Sequence, residues 1–403
     1  MVTGTAGKSI LIFGGGLNQL ELIREARRLG LVTVVIDPQA DPPGKQEADF
    51  CHRVAGDDYE ATRAVALRHN VSGIVTGQME KPLRLMARLA DEMGYIFNSP
   101  GVTEKATDKW LMKEAFIAAG VPCAAGILIS PDDDPVSKLD AGPSFPVIIK
   151  PRDAYSSRGV FRCSSVEEVR SYIDVSRSFS SSGDILAEEF VEGREYSVEA
   201  VTFRGETTII QFTEKFITPY PRTVETGHLQ PADLTGEERE SISVTVIRAL
   251  KALGIGNSAS HTEVMISDKG IVVIEIGARL GGDFIASYLT RASTGVSMDR
   301  AAIQIALGIK PDLQKTRDAF SMIRFPELPA GESVIRVDDT GDIEALPGVV
   351  FARLFVKPGD IIPEISHSAH RPGCIIAEGQ SREEVIRRIE IYSKMLTAKA
   401  ELI

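Results

Sequence analysis

The stretch His261–Arg279, HTEVMISDKGIVVIEIGAR, decides the fold class of this chain. Two apolar runs flank a short polar loop that ends in Gly270. This is the pattern of a β-hairpin whose three-residue connection has glycine in the left-handed region. With such a loop, Ser267 pairs with Ile271, and the two strands run antiparallel outward from that pair.

Counting outward from this loop places two carboxylates, Glu263 and Glu275, opposite each other on one sheet face. Like charges in that position destabilise a sheet. They become favourable when a divalent cation lies between them, because Mg²⁺ binds oxygen ligands and combines carboxylates with phosphate oxygens. The hairpin therefore predicts a magnesium site of the kind used in nucleoside triphosphate chemistry.

The segment before the hairpin alternates short buried strands with helices over residues 8–100. Strands are predicted at 9–13, 32–36, 73–76 and 95–98, and helices at 18–29 and 82–93. This alternation is typical of a doubly wound parallel sheet. Strands dominate residues 185–285, and from Ser333 short strands precede a final helix from Ser381 to about Ala398. A chain of 403 residues is expected to form two to four domains.

Composition and charge argue against several classes of function. A net charge of −11 and a pI near 5.2 disfavour a nucleic-acid surface. No apolar run approaches the roughly 18 residues that span a bilayer, and the polar start Met1–Lys8 is unlike a secretory signal. The four cysteines are scattered without a CxxC pair, which favours a reduced, cytoplasmic setting. We therefore expect neither nucleic-acid nor membrane partners.

The first motif with a chemical interpretation is Gly14–Gly16, which follows a strand, with Asp37 at the end of the next strand. In the dinucleotide fingerprint, such glycines admit a pyrophosphate and such an acid binds a ribose. Gln19 stands where the third glycine belongs. An NAD-dependent oxidoreductase is therefore the weaker interpretation, and the sequence offers no place for its hydride-transfer residues.

A second motif is Lys150, which ends a predicted buried strand and precedes a small, polar loop at 153–160. A buried ammonium group is costly unless an anion receives it. The backbone amides of such a loop can wrap phosphate oxygens. The alternative is a lysine that reaches solvent at a strand end, and the motif alone does not decide between the two.

Three further residues leave alternatives open. Glu195 belongs to an alternating acidic strand face, which on an antiparallel sheet is usually the solvent side. Arg279 can bind a carboxylate or a transferring phosphoryl group, or can simply pair with Glu275 or Asp283. A lone histidine at a strand start, His261, is more often structural.

These elements, in this order, resemble the ATP-grasp superfamily. Within it the chain is most similar to carboxylate–amine ligases of the L-amino-acid ligase type, relatives of biotin carboxylase and carbamoyl phosphate synthetase. The resemblance covers nearly the whole chain and implies an α/β fold followed by α+β. We expect a doubly wound, pre-ATP-grasp domain at 1–100, an ATP-grasp domain at 101–325 with a mobile lid at about 121–187, and a small β-rich C-terminal portion at 326–403 that completes the grasp core.

The resemblance also implies ATP-contacting residues in several segments: Lys109, Lys150, Ser156, Ser157, Gly159, Glu188, Val191 and Glu195. The two lysines would bind phosphates, with Lys150 also catalytic. The serine–glycine loop would cover the phosphates, the backbone of the segment 188–191 would meet adenine, and Glu195 would bind the ribose.

The metal ligands implied are Glu263 and Glu275, which would hold one or two Mg²⁺ ions, and Mn²⁺ can substitute. Arg279 would act catalytically by steadying an acyl phosphate and contacting substrate, and Glu225 and His228 are candidates for the acceptor site. Many relatives have asparagine where this chain has Gly277. A second ion would then be held by waters and phosphate, or by a bridging Glu275.

The reaction implied joins a carboxylate to an amine. The carboxylate attacks the γ-phosphate, giving an acyl phosphate and ADP, and the amine then displaces phosphate to form an amide. Amino acids are the favoured substrates, and a homodimer is compatible because many relatives are dimers. Two alternatives stay open: a bicarbonate-activating or purine-pathway ligase, and a non-catalytic nucleotide-binding module, against which the acidic pair weighs.

Overall fold

In the computed structural model, which describes residue 5 and residues 7–221 and 223–403, the chain begins with a four-stranded sheet. Residues 1–4 and 6 of the first predicted domain lie outside the described residues. The sheet order is β3-β2-β1-β4, and every pairing in it is parallel, as the sequence predicts. The elements of this N-terminal unit are β1 (Ser9–Phe13), α1 (Leu20–Arg28), β2 (Val32–Asp37), β3 (Phe50–Arg53), α2 (Tyr59–Arg68), β4 (Val71–Thr76), α3 (Leu83–Met93), α4 (Pro100–Ala106) and α5 (Lys109–Ala118).

The strand predicted at 95–98 is wrong, since these described residues form no strand. Tyr95 and Phe97 pack against the core of the N-terminal unit. The Asn98 side chain accepts hydrogen bonds from the backbone N–H groups of Gly256 (3.2 Å) and Asn257 (3.4 Å). The segment therefore links the N-terminal unit to the central one instead of joining the sheet.

A four-stranded antiparallel sheet with the order β5-β8-β6-β7 follows, within the segment predicted as the lid. Its apolar face packs under the last helix of the segment. That helix is capped by Ser165, whose hydroxyl accepts a hydrogen bond from the Glu168 N–H at 3.4 Å. The elements are β5 (Gly126–Ile129), α6 (Pro135–Asp140), β6 (Val147–Pro151), β7 (Phe161–Cys163), α7 (Val166–Arg177) and β8 (Ile185–Glu189).

An eight-stranded antiparallel sheet forms the centre of the described chain, with the order β13-β12-β9-β10-β11-β14-β17-β16. Its last two strands come from the small, strand-rich C-terminal part, where β15 also pairs with β18. The elements are β9 (Arg194–Phe203), β10 (Glu206–Ile217), β11 (Glu225–Gln230), α8 (Gly236–Leu253), β12 (Ser258–Ser267), β13 (Gly270–Gly277), a π-helical turn (Ile285–Leu289), α9 (Thr290–Thr294), α10 (Met298–Ala306), β14 (Phe320–Arg324), β15 (Val334–Val337), α11 (Gly341–Glu344), β16 (Val349–Leu354), β17 (Gly373–Gly379), α12 (Arg382–Thr397) and β18 (Ala400–Leu402).

The central sheet has a helix-covered apolar core on each face. Helix α8 packs its apolar side on one face and closes a large core with β9, β12 and β13. Helix α10 lies between two units: Ala301 and Ile305 share a core with β9, β10 and β12 of the central sheet, and Ile303 and Ala306 join a core with residues of β1 and α1. Among the described helices, none has the length and apolar content that crossing a bilayer requires.

The hairpin of β12 and β13 forms as predicted, but its loop differs. Ser267 pairs with Gly270 and not with Ile271, so the turn between the strands contains two residues. Gly270 has φ +100°, in the region that the sequence assigned to it. The predicted loop length was therefore wrong by one residue.

A β-bulge at Ile274 compensates for the shorter loop. Val264 pairs with Val273, and the next pair is Glu263 with Glu275, which leaves Ile274 unpaired between them. Because side chains alternate along a strand, the extra residue directs both Ile274 and Glu275 to one face. Val273 lies in the core on the opposite face. The predicted opposition of the two glutamates is therefore confirmed.

Candidate functional site

A cavity of about 780 Å³ lies where the N-terminal unit, the lid segment, the central sheet and the C-terminal part meet. Every residue that the sequence assigned to the site lines it except Gly159, whose neighbours Arg158 and Val160 do. Gly159 has φ +71°, and its carbonyl accepts a hydrogen bond from Ser176 at 2.7 Å. It therefore shapes the loop and does not face the cavity.

The two glutamates of the hairpin face this cavity, each with a lysine beside it. The Lys109 Nζ lies 3.0 Å from Glu275 Oε1, and the Lys215 Nζ lies 3.1 Å from Glu263 Oε1. Both glutamate side chains retain about a quarter of their exposure, 25% for Glu275 and 27% for Glu263. They are thus accessible from the cavity and already charge-compensated.

Lys109 is placed by the start of α5. The carboxylate of Asp108 caps this helix by accepting the N–H groups of Trp110 (3.0 Å) and Leu111 (3.1 Å). Lys109 is consequently the first residue of the helix. Its Nζ also donates to the carbonyl of Ala154 at 2.5 Å, in the loop at residues 153–160 of the predicted lid, which is called the lid loop below. The lysine therefore joins the lid loop to the glutamate pair.

Lys215 was not identified from the sequence, yet it is central to the site. Its side chain is 5% exposed, and its Nζ lies 2.5 Å from Glu195, 3.1 Å from Glu263 and 3.8 Å from Glu225. Burial lowers the pKa of this ammonium group, but the three carboxylates outweigh burial and raise it well above its usual value. The signal used for Lys150 is absent here, because β10 reads ETTIIQFTEKFI and mixes polar with apolar residues around Lys215.

The pKa of Glu263 also depends on burial and on nearby charged groups. Burial raises the pKa of its carboxyl group, whereas Lys215 and His261 together outweigh burial and hold that pKa well below the usual range. Glu263 is therefore ionised over the physiological pH range, as a metal ligand must be.

The buried partner of Lys150 is Glu188. Its carboxylate bridges Lys150 at 2.6 Å and Lys113 at 2.8 Å, and all three side chains are nearly inaccessible. Burial raises the pKa of Glu188, but the two lysines outweigh it and lower that pKa. The alternative of a solvent-reaching lysine is therefore wrong, and the Glu188 side chain organises the phosphate-side lysines in addition to the role predicted for its backbone.

Arg279 pairs with neither of the two carboxylates that the sequence suggested. Its nearest carboxylate is Glu80 of the N-terminal unit, with Nη2 3.6 Å from Oε2. A Cβ atom at Gly277 would lie 3.0 Å from the guanidinium carbon, so the glycine that departs from the family pattern makes room for Arg279. Burial raises the pKa of Glu80, although Arg279 and Lys109 oppose that shift. Glu80 was not identified from the sequence; it follows the carboxyl end of β4, where ligand sites of parallel sheets concentrate.

Glu225 connects three parts of the molecule. Its carboxylate accepts hydrogen bonds from Ser157 of the lid loop and from Ser368 of the C-terminal part, both at 3.2 Å. Ser156 and Ser157 have φ of +63° and +57°, which is uncommon for residues other than glycine. The lid loop is thus held in a defined conformation over the cavity.

His228, the other acceptor-site candidate, belongs to a second cluster. Its Nε2 lies 3.0 Å from Asp283 Oδ2, and the same carboxylate is bound by both terminal nitrogens of Arg371, one of them at 2.7 Å. Neither Asp283 nor Arg371 was assigned to the site from the sequence. They meet only because the C-terminal part folds back over the central sheet.

His261 has a defined place in the site. Its Nδ1 lies 2.6 Å from the buried Glu199, its neighbour on β9, and its Nε2 lies 3.7 Å from Glu263. Burial lowers the pKa of His261, but Glu199 and Glu263 outweigh it and raise that pKa to about 9. This histidine therefore helps to orient the carboxylate of Glu263.

The glycine turn of the N-terminal unit also reaches the cavity, through Gly16. Asp37, however, accepts the Gly15 N–H through one carboxylate oxygen and the Gln39 N–H through the other, both at 2.8 Å. Because both oxygens stabilise the turn itself, the geometry gives no support to the ribose-binding role of a dinucleotide fingerprint.

The residues present fit magnesium that arrives with phosphate. Among the described residues, no group of three or more His, Cys, Asp or Glu side chains is arranged to hold a metal ion. Mg²⁺ is usually held by one or two carboxylates, with substrate phosphates and waters completing its shell. The facing pair Glu263 and Glu275 matches that requirement.

Comparison with known proteins places these features in a family. Residues 143–287 match the ATP-grasp domain, and residues 328–400 match L-amino acid ligase C-terminal domain 2. The chain is 27% identical to dapdiamide A synthase of Enterobacter agglomerans over 284 residues, which cover 67% of this chain and 66% of that protein. It is 32% identical to a D-alanine–D-alanine ligase of Halorhodospira halophila over 182 residues, 44% of this chain and 58% of that one.

The chain thus spans less than two thirds of the length of these curated relatives. A solved structure, the L-amino acid ligase from Bacillus licheniformis, superposes with a TM-score of 0.82 at 22% identity, covering 99% of both chains, and so shares the fold. The resemblance inferred from the sequence is confirmed: the chain contains an ATP-grasp domain at residues 143–287, followed by an L-amino acid ligase C-terminal domain at residues 328–400.

Proposed function

We propose that this protein is an ATP-dependent carboxylate–amine ligase that forms an amide bond through an acyl phosphate and releases ADP and phosphate. The observation that carries the proposal is the opposition of Glu263 and Glu275 within a cavity that also contains Lys109, Lys150 and Arg279. The named relatives are a synthase and a ligase. We infer amino acids as the first substrates to test.

In this proposal the chain supplies position and charge, which dominate phosphoryl transfer. Lys109 and Lys150 bind the phosphates of ATP, exchanging their present carboxylate partners for phosphate oxygens. Glu263 and Glu275 hold one or two Mg²⁺ ions, or Mn²⁺ in their place, and the metal neutralises phosphate charge. The backbone of residues 188–191 meets adenine.

On the nucleoside side, Glu195 binds the ribose, and its present contact with Lys215 keeps it oriented toward the cavity. On the acyl side, Arg279 steadies the acyl phosphate. Glu225 and His228 hold the second substrate. The loop containing Ser156, Ser157 and Gly159 covers the phosphates, because an acyl phosphate that meets water is hydrolysed instead of forming an amide.

The test is a screen for ADP release over pairs of amino acids and small amines, with products identified by mass spectrometry. We expect ADP release that depends on both substrates and a product whose mass equals the two substrates minus water. ATP turnover that depends on bicarbonate without an amino acid would instead assign the chain to the bicarbonate-activating ligases. If the protein binds nucleotide but turns over no ATP under any condition, it is a non-catalytic nucleotide-binding module.

A cytoplasmic location, expected from the sequence, and a homodimer, with which the resemblance to dimeric relatives is compatible, complete the proposal. Sedimentation of the purified protein tests the second of these directly.

A further inference from the structure

Arg371, in the C-terminal part, reaches into the acceptor side of the cavity. Its side chain is 9% exposed. The two terminal nitrogens bind both carboxylate oxygens of Asp283, and Nη1 also donates to the backbone carbonyl of Glu225 at 3.3 Å. Its Nε donates to the carbonyl of Ser368 at 2.9 Å, and the guanidinium lies 3.6 Å from the ring centre of Phe325. All three guanidinium nitrogens of Arg371 therefore donate hydrogen bonds to the protein.

The residues that Arg371 holds lie on two different segments of the central unit. Glu225 begins β11, whereas Asp283 follows the glycine-rich exit of β13, four residues after Arg279. Asp283 has φ +54°, a left-handed conformation that is uncommon for a non-glycine residue. The bidentate pairing supplies a contact that holds it there, and Asp283 in turn binds His228.

The cluster also sets the charge of this end of the cavity. Asp283 faces the cavity with its carboxylate neutralised by Arg371. Truncating one partner of a buried ion pair leaves the other charge uncompensated. Without the arginine, Asp283 would keep His228 as its partner but lose the permanent positive charge beside it, and the cavity end that also contains Glu225 would attract cationic groups more strongly.

We propose that Arg371 is a positioning and specificity-determining residue, through which the C-terminal domain sets the geometry and the charge of the acceptor subsite. The inference rests on the proposed ligase function. It predicts that the wild-type subsite favours a second substrate whose side chain is uncharged, since Asp283 is already paired with Arg371 and the Glu225 carboxylate lies 3.8 Å from the Lys215 ammonium group.

The chain offers a matched control in Arg382. This arginine also lies in the C-terminal part and also forms a bidentate pair with the central unit, to Glu214 at 2.8 and 2.9 Å. Neither Arg382 nor Glu214 lines the cavity. A variant at Arg382 therefore removes a comparable ion pair without touching the acceptor subsite.

The experiment compares steady-state kinetics of wild type, R371A, R371K, R382A and R371A/D283N with the substrate pair found in the screen. In R371A we expect the KM of one substrate to rise roughly 10- to 100-fold, the scale that misplaced contacts produce, with the KM for ATP within about twofold. In R371K we expect the KM to lie between the values of wild type and R371A, because an ammonium group cannot form the two parallel hydrogen bonds to the Asp283 carboxylate. R382A should behave as wild type.

A second arm compares an uncharged with a cationic second substrate, alanine with lysine. The ratio of their kcat/KM values should shift toward lysine in R371A and return toward the wild-type ratio in R371A/D283N, which lacks the Asp283 carboxylate. Equal effects of R371A and R382A on both substrates and on ATP would reduce Arg371 to a structural role and overturn the inference.

If wild type shows no ligation activity, the proposed function is contradicted, but the positioning role of Arg371 is still open to test. In that event crystal structures of wild type and R371A decide. Displaced Glu225, His228 and Asp283 side chains in R371A support the positioning role, and unchanged ones refute it.

Discussion

At the scale of single residues, the candidate metal site is defined by which charges face each other. Glu275 is paired with Lys109, and Glu263 with Lys215. A neutral amide in place of either carboxylate keeps the shape of the side chain but removes the charge that a hard cation requires. A glutamate-to-glutamine substitution can therefore remove metal binding without changing the packing of the site.

We expect Glu275→Gln to reduce ADP release to background while the protein stays folded, because the side chain is 25% exposed and Lys109 keeps its bond to the Ala154 carbonyl. ADP release and circular dichroism melting measure the two effects. Glu378→Gln is the control: Glu378 is 30% exposed and pairs with Arg317 away from the cavity. Full activity in E275Q would remove the metal assignment.

Single residues also show where sequence reasoning stops. Glu263 and Glu275 were predictable because a hairpin is local and its register can be counted. Lys215 lacked the signal of Lys150, because its strand reads ETTIIQFTEKFI, and it meets Glu195, Glu225 and Glu263 only through the pairing of separate strands. Glu80 could not be placed beside Arg279, because only the packing of the N-terminal unit against the central sheet brings them together.

At the scale of elements, the β12–β13 hairpin shows how a correct pairing can follow from an incorrect loop. The turn is one residue shorter than predicted, and the bulge at Ile274 adds one residue back. Bulges leave little trace in an apolar run such as IVVIEI, because every residue there suits a strand. The predicted strand at 95–98 failed for a related reason: apolar residues there pack on a core without pairing.

Helix α10 carries a buried acid that gives a stability prediction. Asp299 lies in its first turn, 3% exposed, near Glu21 and Glu25 of α1, with Arg291 and Arg28 as the opposing charges. Burial, followed by the two glutamates, raises the pKa of Asp299 to about 7. The folded protein therefore holds a proton between about pH 4 and 7 that the unfolded chain releases.

Because the folded-state pKa of this acid is raised, its contribution to the free energy of unfolding falls as pH rises through that window, by at most about 1.4 kcal/mol per pH unit. We expect Asp299→Asn to flatten this dependence and to stabilise the protein at pH 8 relative to wild type. Urea unfolding midpoints between pH 4.5 and 8 measure this pH dependence of stability. Asp268→Asn, at an exposed position, is the control. Parallel pH profiles for wild type and D299N would contradict the prediction.

At the scale of the whole molecule, ion pairs between residues far apart in sequence join the units that surround the cavity. Glu80 meets Arg279, Glu25 meets Arg300, and Asp283 meets Arg371. The sequence predicted the order of the units and the fold class, because alternation and strand content are visible in it. It did not predict these three contacts, since each depends on how one unit packs on another.

A ligand that contacts several units stabilises all of them together. At 100 times its dissociation constant, ADP with Mg²⁺ should add about 2.7 kcal/mol to the stability of the folded protein. We expect a higher melting temperature with MgADP, a smaller shift in E275Q, and no shift with NADH. A shift with NADH and none with MgADP would revive the oxidoreductase interpretation of Gly14–Gly16.

The three carboxylates around Lys215 have a consequence for the order in which ligands enter. A tethered ammonium group already competes for the oxygens that a free divalent ion would need, and it cannot diffuse away. A polyphosphate changes that competition, because it draws the lysines to itself and releases the carboxylates. The metal is therefore expected to enter as a complex with the nucleotide, so MgCl₂ added alone should leave the melting temperature unchanged.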